Sequence, residues 1–173
     1  GKKTYLFQHP AAIRSFAAIG SKREGEGPLG EFFDTIDPDS TFGQKSWERA
    51  ESRLHHDTVE LAVKKAGLSY ADLDCLLAGD LLNQCIGATF GVRELGIPYL
   101  GIYGACSNMA EGLLLSAFLA ESGLRYLGVS TASHFCTAER QYRTPLEYGG
   151  QRTPTAQWTV TGAGAAILAR EGP

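Results

Sequence analysis

The sequence is short of cysteine, of long apolar runs and of positive charge. Four cysteines among 173 residues form no CxxC pair and no disulfide-dense spacing, so reduced thiols in an intracellular protein are expected. The longest apolar run, Leu113–Ala120, is interrupted by Ser116 and is too short to cross a membrane. A net charge of −3, with Lys and Arg scattered along the chain, argues against nucleic-acid binding. Any contact with a membrane is therefore expected to go through partner proteins.

The sequence does contain an alternation of strand and helix patterns within one domain. Hydrophobic residues make up 43% of the chain and charged residues 20%, which is ordinary for a folded protein. The predicted strands of the second half are Cys75–Ala78, Tyr99–Tyr103 and Arg125–Thr131, and the predicted helices are Leu82–Leu95 and Ser107–Ser122. Strands that alternate with helices predict crossover units and a mostly parallel sheet with helices on both faces.

The first part of the chain is less regular. Short apolar runs at Tyr5–Phe7 and Ile13–Ile19, separated by a His-Pro pair, suggest two strands and a turn. Residues Ser21–Asp39 are rich in Gly, Glu, Asp and Pro, which is typical of a long surface loop. An apolar stripe then predicts a helix over Ser46–Ala66, ended by Gly67.

The last part of the chain predicts an antiparallel hairpin. Its two arms would be Thr155–Val160 and Ala165–Ala169, joined by the glycines of Gly162-Ala163-Gly164. The fold class is therefore α/β with a mixed, mostly parallel sheet.

Chemically active residue types follow the predicted strands at one edge of the sheet. Asp80 and Asn83 come after the first of these strands, Cys106 after the second, and Ser133 and His134 after the third. Ligands of open α/β sheets bind beyond the carboxyl ends of the strands. We therefore expect an acid, a thiol and an imidazole to meet there.

Cys106 lies at a predicted turn from strand to helix. Gly104 and Ala105 are small enough for a tight turn, and a helix N-terminus beside the thiol would lower its pKa and favour a nearby anion. Cys106 is then a nucleophile or part of an anion site, unless it is a cysteine packed inside a turn.

The other candidates each have a structural alternative. His134 could act as a base or be a satisfied interior histidine, and Asp80 could contact a ligand or cap the next helix. Arg140 could reach a carboxylate ligand, although surface solvation is its default. The spacing of cysteines and histidines around His134 matches no zinc pattern, so no metal site is predicted. The pair His55-His56 lies among charges and is expected to be solvated.

Three segments resemble the N-terminal half of thiolases and ketoacyl synthase III enzymes: AGLSYADLDCLLAGD, GACSNMAEGLLLSAFLAESG and TVTGAGAAILAR. The resemblance implies a thiolase-like fold with a buried central helix, whose first turn carries an acyl-accepting cysteine at the position of Cys106. It also implies that residues 1–173 are the N-terminal domain, and that the second half with its catalytic histidine is absent from this chain.

Longer segments, among them LLAGDLLNQ and TAERQYRTPLEYGGQ, resemble the stage V sporulation protein AD family nearly end to end. That resemblance implies a protein that binds dipicolinic acid and supports its uptake into the developing spore. Calcium would be carried with the dipicolinate, and no other cofactor is expected. The implied partners are dipicolinate and membrane-embedded proteins of one transport complex, which would hold the chain at the forespore or inner spore membrane of a spore-forming bacterium.

The resemblance and the strand ends together predict one ligand pocket. Its expected ligand-binding residues are Cys106, His134, Asp80, Asn83, Ser133 and Arg140. A homodimer is expected through the edge strand Tyr99–Tyr103. The alternative function is an acyltransferase of the thiolase or ketoacyl synthase III type, with Cys106 as the catalytic nucleophile.

Overall fold

A six-stranded mixed sheet organises the computed structural model, which describes residues 2–143, 155 and 157–170. The strands are β1 (Ala11–Ser21), β2 (Thr35–Asp37), β3 (Cys75–Gly79), β4 (Tyr99–Gly101), β5 (Tyr126–Ser133) and β6 (Gly162–Arg170). The helices are α1 (Lys22–Gly25), α2 (Trp47–Ala66), α3 (Ile86–Val92), α4 (Asn108–Glu121) and α5 (Phe135–Arg143).

The strand order is β2-β1-β6-β5-β3-β4. The pairs β1–β2, β3–β4 and β3–β5 are parallel, whereas β6 runs antiparallel to both of its neighbours, β1 and β5. Three of the five pairs are therefore parallel, and the predicted mixed α/β sheet is confirmed.

Helices cover both faces of the sheet, as the sequence predicts. On one face α2 and α3 pack against Leu76, Ala78 and Ile167. On the other face α4 packs against Leu77 and Val129. The inward stripe of α4 is buried, and its outward stripe includes exposed apolar side chains such as Leu114 and Phe118.

Helix α2 forms where its caps and its stripe predict it. The Ser46 hydroxyl accepts a hydrogen bond from the backbone N–H of Arg49 at 3.3 Å, and Gly67 ends the helix with a left-handed φ of 70°. Ala50, Leu54 and the other apolar residues of its inner face are buried.

Helix α3 is shorter than the predicted helix Leu82–Leu95. Gln84 and Cys85 have φ values of 62° and 54°, and these left-handed conformations prevent a helix from starting before Ile86. Two glycines then let α3 approach α2 closely, since a Cβ at Gly91 would lie 2.5 Å from the carbonyl oxygen of Ser52.

The predicted strand Tyr5–Phe7 is wrong. Its rings pack on α4 instead, where Tyr5 and Phe7 each have a ring centroid 5.1 Å from that of Phe118. The loop predicted for Ser21–Asp39 contains α1 and β2.

The predicted hairpin is also wrong. Those residues of Thr155–Val160 that the structure describes form no strand, and the Gly-Ala-Gly segment lies inside β6 instead of in a turn. A Cβ at Gly162 would lie 2.8 Å from the carbonyl oxygen of Ile19, so this glycine allows β6 to lie close to β1.

Candidate functional site

A cleft of about 510 Å³ opens at the carboxyl ends of β3 and β5. Its volume falls within the range of about 300–1,000 Å³ that is usual for small-molecule sites. The lining comes from the segment after β3, the turn before α4, the end of β5 and the start of β6: Phe33, Asp80, Leu81, Ala105, Cys106, Asn108, Met109, Thr131, Ala132, Ser133, Thr159, Val160, Gly162, Ala163 and Gly164. The structure thus brings Asp80, Cys106 and Ser133 to one cleft and places Asn83, His134 and Arg140 outside its lining.

Cys106 lies in a 3-10 turn, Ala105–Ser107, that leads directly into α4. Its thiol is exposed, and the preceding Ala105 has a positive φ of 50°. A Cβ at Gly104 would press on the Ser107 hydroxyl and the Glu111 carboxylate, so a larger residue at the start of this turn would force these side chains to move. The turn therefore presents the thiol at the N-terminal end of a fourteen-residue helix.

The N-terminus of α4 continues directly from the 3-10 turn, in which the N–H of Ser107 donates to the carbonyl oxygen of Gly104 at 3.0 Å and the N–H of Asn108 donates to that of Ala105. The Ser107 side chain does not cap the helix, because its hydroxyl donates to the carbonyl oxygen of Gly104 at 2.7 Å. The first N–H groups of a helix carry a partial positive charge and favour an anion. Cys106, Asn108 and Met109 all line the cleft, so this positive end faces it.

Asn108 is a site residue that the sequence interpretation missed. Its amide nitrogen donates to the backbone carbonyl of Asp80 at 3.1 Å, and its amide oxygen accepts from the N–H of Gly104 at 2.6 Å. The side chain is buried, and it joins the segment after β3 to the turn that carries Cys106. A polar residue at the first position of an apolar helix was the available signal.

Asp80 is buried and acts as a cap. Its Oδ1 accepts from the N–H of Leu82 at 2.7 Å, and its Oδ2 accepts from the N–H of Ala88 in the first turn of α3 at 2.6 Å. Burial raises the pKa of the Asp80 carboxyl, while the backbone hydrogen bonds oppose that rise. The hydrogen bonds of Asp80 are therefore those of the capping role, and Asp80 also forms part of the cleft wall.

Ser133 and His134 are neighbours in sequence that face different environments. Ser133 lines the cleft, and its hydroxyl donates to the carbonyl oxygen of Val160 at 2.7 Å. Successive side chains at the end of a strand point to opposite sides, so the two residues do not share one pocket. The prediction that both residues reach the cleft considered only their position at the end of a strand and not this alternation of side chains.

His134 has both ring nitrogens engaged. Nε2 lies 2.8 Å from the carbonyl oxygen of Ser40, and Nδ1 accepts from the N–H of Cys136 at 3.1 Å. The ring stacks near Trp47 with centroids 6.4 Å apart, and burial lowers its pKa. The arrangement matches a neutral interior histidine that donates through Nε2.

Asn83 and Arg140 lie to the side of the cleft. The Oδ1 of Asn83 accepts from the Tyr103 hydroxyl at 3.0 Å, and its N–H donates to the Gln141 side chain at 2.9 Å. Arg140 points to α2, where it pairs with Glu48, because its position on α5 faces that helix. Both residues thus have protein partners away from the cleft.

Two buried ionisable residues of α2 were also missed. Glu51 is fully buried, and burial and the nearby Asp80 charge raise its pKa to about 8. His55 is fully buried as well, which corrects the expectation that it is solvated, and burial lowers its pKa to about 3. Its Nδ1 lies 2.9 Å from the Ser130 hydroxyl. The close approach of α3 is what buries this face of α2.

A group of side chains that could hold a metal ion lies away from the cleft. Within the residues that the structure describes, close ligand atoms belong to His56, Asp57 and Glu60 on the outer side of α2. Arg53 already pairs with Asp57 at 2.7 Å there. None of the helices formed by residues 2–143 is long and apolar enough to span a membrane.

The fold is similar to that of ketosynthases of known structure. The structure is similar to 3-oxoacyl-[acyl-carrier-protein] synthase III from Aquifex aeolicus VF5, with a TM-score of 0.65 and 17% identity over 94% of this chain and 55% of that one. It is also similar to the priming β-ketosynthase of the R1128 polyketide biosynthetic pathway, with a TM-score of 0.62 and 14% identity over 98% of this chain and 53% of that one. These similarities confirm the predicted thiolase-like, ketoacyl synthase III-like fold.

The sequence comparisons are more specific. The chain is 43% identical over 171 residues to stage V sporulation protein AD of Bacillus subtilis (strain 168). The aligned region covers 98% of this chain and 51% of that relative. The chain thus spans about half the length of this curated relative. The family model for stage V sporulation protein AD matches residues 1–173. The chain therefore belongs to the stage V sporulation protein AD family, as its segments predict.

Proposed function

We propose that this chain forms part of a dipicolinate-binding pocket in a sporulation transport complex that supports dipicolinate uptake into the developing spore. Dipicolinate is a small, planar dianion, and the proposed pocket is the cleft between β3, β5 and α4. Membership of a sporulation protein family supports the biological setting.

The N-terminus of α4 is the observation that carries the proposal. It places the positive end of the helix dipole beside Cys106 and Asn108, and the Ser133 hydroxyl lies across the same cleft. A carboxylate of the ligand would be attracted to this positive end, and it would accept a hydrogen bond from Ser133 once that hydroxyl turns away from the carbonyl oxygen of Val160.

Calorimetric titration of the full-length protein with dipicolinate, with and without calcium, tests the proposal. We expect Cys106→Ala and Ser133→Ala to weaken binding about three- to tenfold, as is usual for the loss of one polar contact. Cys136→Ala is the matched control, because Cys136 does not line the cleft. The absence of binding heat at millimolar dipicolinate would refute the proposal, as would equal losses in Cys106→Ala and Cys136→Ala.

The second candidate function is acyl transfer through Cys106. It is supported by the exposed thiol in a tight turn at a helix N-terminus and by the fold shared with ketosynthases. Incubation with acyl-coenzyme A followed by intact-mass analysis tests it, because a nucleophilic cysteine retains the acyl group. An adduct that disappears in Cys106→Ala favours the enzyme, and no adduct favours the binding protein.

Several features of the assembly belong to the same proposal. The chain would be the N-terminal half of a two-half thiolase-like protein, and calcium would be carried with dipicolinate. A homodimer would form at β4, which lies at one edge of the sheet. Membrane-embedded members of the complex would hold the protein at the forespore or inner spore membrane. Crosslinking of the full-length protein through cysteines placed on β4 tests the dimer, and monomers alone would exclude it.

A further inference from the structure

The carboxyl group of Glu51 lies in the protein interior between α2, α3 and α5. It is fully buried, and its Oε2 lies 2.7 Å from the Thr137 hydroxyl oxygen. Its Oε1 has no hydrogen-bond partner in the part of the chain that the structure describes. A Cβ at Gly87 would lie 3.1 Å from both Asp80 Oδ2 and the Cγ of Glu51, so a second carboxyl group lies nearby.

The hydroxyl of Thr137 has two acceptors within reach and one hydrogen. Its oxygen lies 2.9 Å from the carbonyl oxygen of His134 and 2.7 Å from Glu51 Oε2. Both hydrogen bonds form only if the hydroxyl donates to His134 and accepts from a protonated Glu51. An ionised Glu51 would be an acceptor only and would leave one of these contacts without a hydrogen.

Among the residues that the structure describes, the surroundings of Glu51 contain no positive charge that would stabilise the ionised form. Asp80 contributes a second carboxyl group, and Cys85, which faces Asp80, has its pKa raised by burial. His55, one turn along α2, is buried with its pKa lowered, so it adds no positive charge at neutral pH. Arg140 of α5 is held by Glu48 at the surface. Burial therefore favours the neutral acid, in agreement with the raised pKa.

Helix α5 connects Glu51 to the wall of the cleft. Thr137 lies on this helix. Gln141 and Tyr142, one turn later on the same helix, both donate to the carbonyl oxygen of Leu81, at 2.8 Å and 2.6 Å. Leu81 lines the cleft. A bond between Glu51 and Thr137 thus fixes the helix that holds this wall in place.

We propose that Glu51 is a protonated carboxylic acid that donates to Thr137 and positions α5, and through α5 the Leu81 wall of the cleft. Glu51 is a positioning residue, since it does not line the cleft. Its deprotonation would bring two buried carboxylates together and break the donation to Thr137. The effect on ligand affinity rests on the proposed dipicolinate site, whereas the protonation state of Glu51 does not.

Infrared spectroscopy of full-length protein with ¹³C-labelled glutamate tests the protonation state. We expect a carbonyl band of a protonated carboxylic acid that is lost on alkaline titration with a midpoint near pH 8 and that is missing in Glu51→Gln. Thr137→Val should shift this band, and Thr137→Ser should restore it. Absence of the band from the wild type in mildly acidic buffer overturns the proposal, as does a band unchanged in Glu51→Gln. If Glu51→Gln does not fold, the contrast between Thr137→Val and Thr137→Ser gives the same decision.

The pH profile of dipicolinate binding tests the positioning role. The wild-type dissociation constant should rise by up to about tenfold per pH unit above the Glu51 pKa of about 8, and the Glu51→Gln profile should be flat there. If dipicolinate does not bind at any pH while the infrared band behaves as expected, the proposed ligand is wrong and the protonated Glu51 stands. Parallel binding profiles in wild type and Glu51→Gln refute the positioning role.

Discussion

Replacing Asn108 with alanine is expected to destabilise the protein by about 2–4 kcal/mol. The change removes both hydrogen bonds that join the segment after β3 to the turn of Cys106. The carbonyl of Asp80 is buried, so leaving it without its donor costs ~1–3 kcal/mol. The N–H of Gly104 is partly buried and can regain water, so its loss adds about 1 kcal/mol.

Urea unfolding of the full-length protein, followed by circular dichroism, measures this loss. Ser107→Ala is the matched control one residue away, because its hydroxyl makes one exposed hydrogen bond to Gly104 and its removal should cost less than about 1 kcal/mol. Asn108→Asp retains the acceptor for Gly104 but sets a buried carboxylate oxygen against the carbonyl oxygen of Asp80, so it should destabilise at least as much as Asn108→Ala. Equal losses in Asn108→Ala and Ser107→Ala would refute the reasoning, because Asn108 would then not join the two segments.

Three further predictions concern packing, thiol access and the N-terminal segment. Gly91→Ala should lower the free energy of unfolding by about 1–3 kcal/mol, because its Cβ would press on the backbone of α2, and an unchanged urea midpoint would contradict this. Cys106 should react first with a thiol reagent in the native protein, whereas the buried Cys75 and Cys85 should react on unfolding; the reverse order by mass spectrometry would contradict the exposed turn. The Glu121 carboxylate accepts hydrogen bonds from the N–H groups of residues 8 and 9, so Glu121→Gln should speed hydrogen exchange at both groups. Unchanged exchange would mean that these hydrogen bonds do not hold the N-terminal segment.

Much of the fold follows from local signals that the sequence carries. Helix α2 has an N-cap, an apolar stripe and a C-cap glycine, and β3 and β5 are apolar runs bounded by polar residues. The errors occur where partners are distant in sequence. The Tyr5–Phe7 rings pack on α4, and β6 pairs with β1, about 150 residues earlier, instead of with the segment next to it.

The site was predictable to the extent that strand ends determine it. Asp80, Cys106 and Ser133 reach the cleft because each lies at the end of a parallel strand or in the segment that follows one. The burial of Glu51 and His55 was not predictable, because it depends on glycines of α3 that let the two helices approach. The periodicity of the sequence predicts the side of α2 on which these residues lie, but it does not predict how closely a second helix packs against that side.

The central position of β6 has a consequence for how the sheet assembles. Strand β6, the last strand that the structure describes, lies between β1 and β5, so the earlier strands form two separate groups, β2-β1 and β5-β3-β4, until residues 162–170 join them. During synthesis, β1 and β5 would each expose the strand edge that β6 later covers. The closing step joins residues that are far apart in sequence and is slow for that reason. A nascent chain that stops before Gly162 would therefore leave both of these edges open to aggregation.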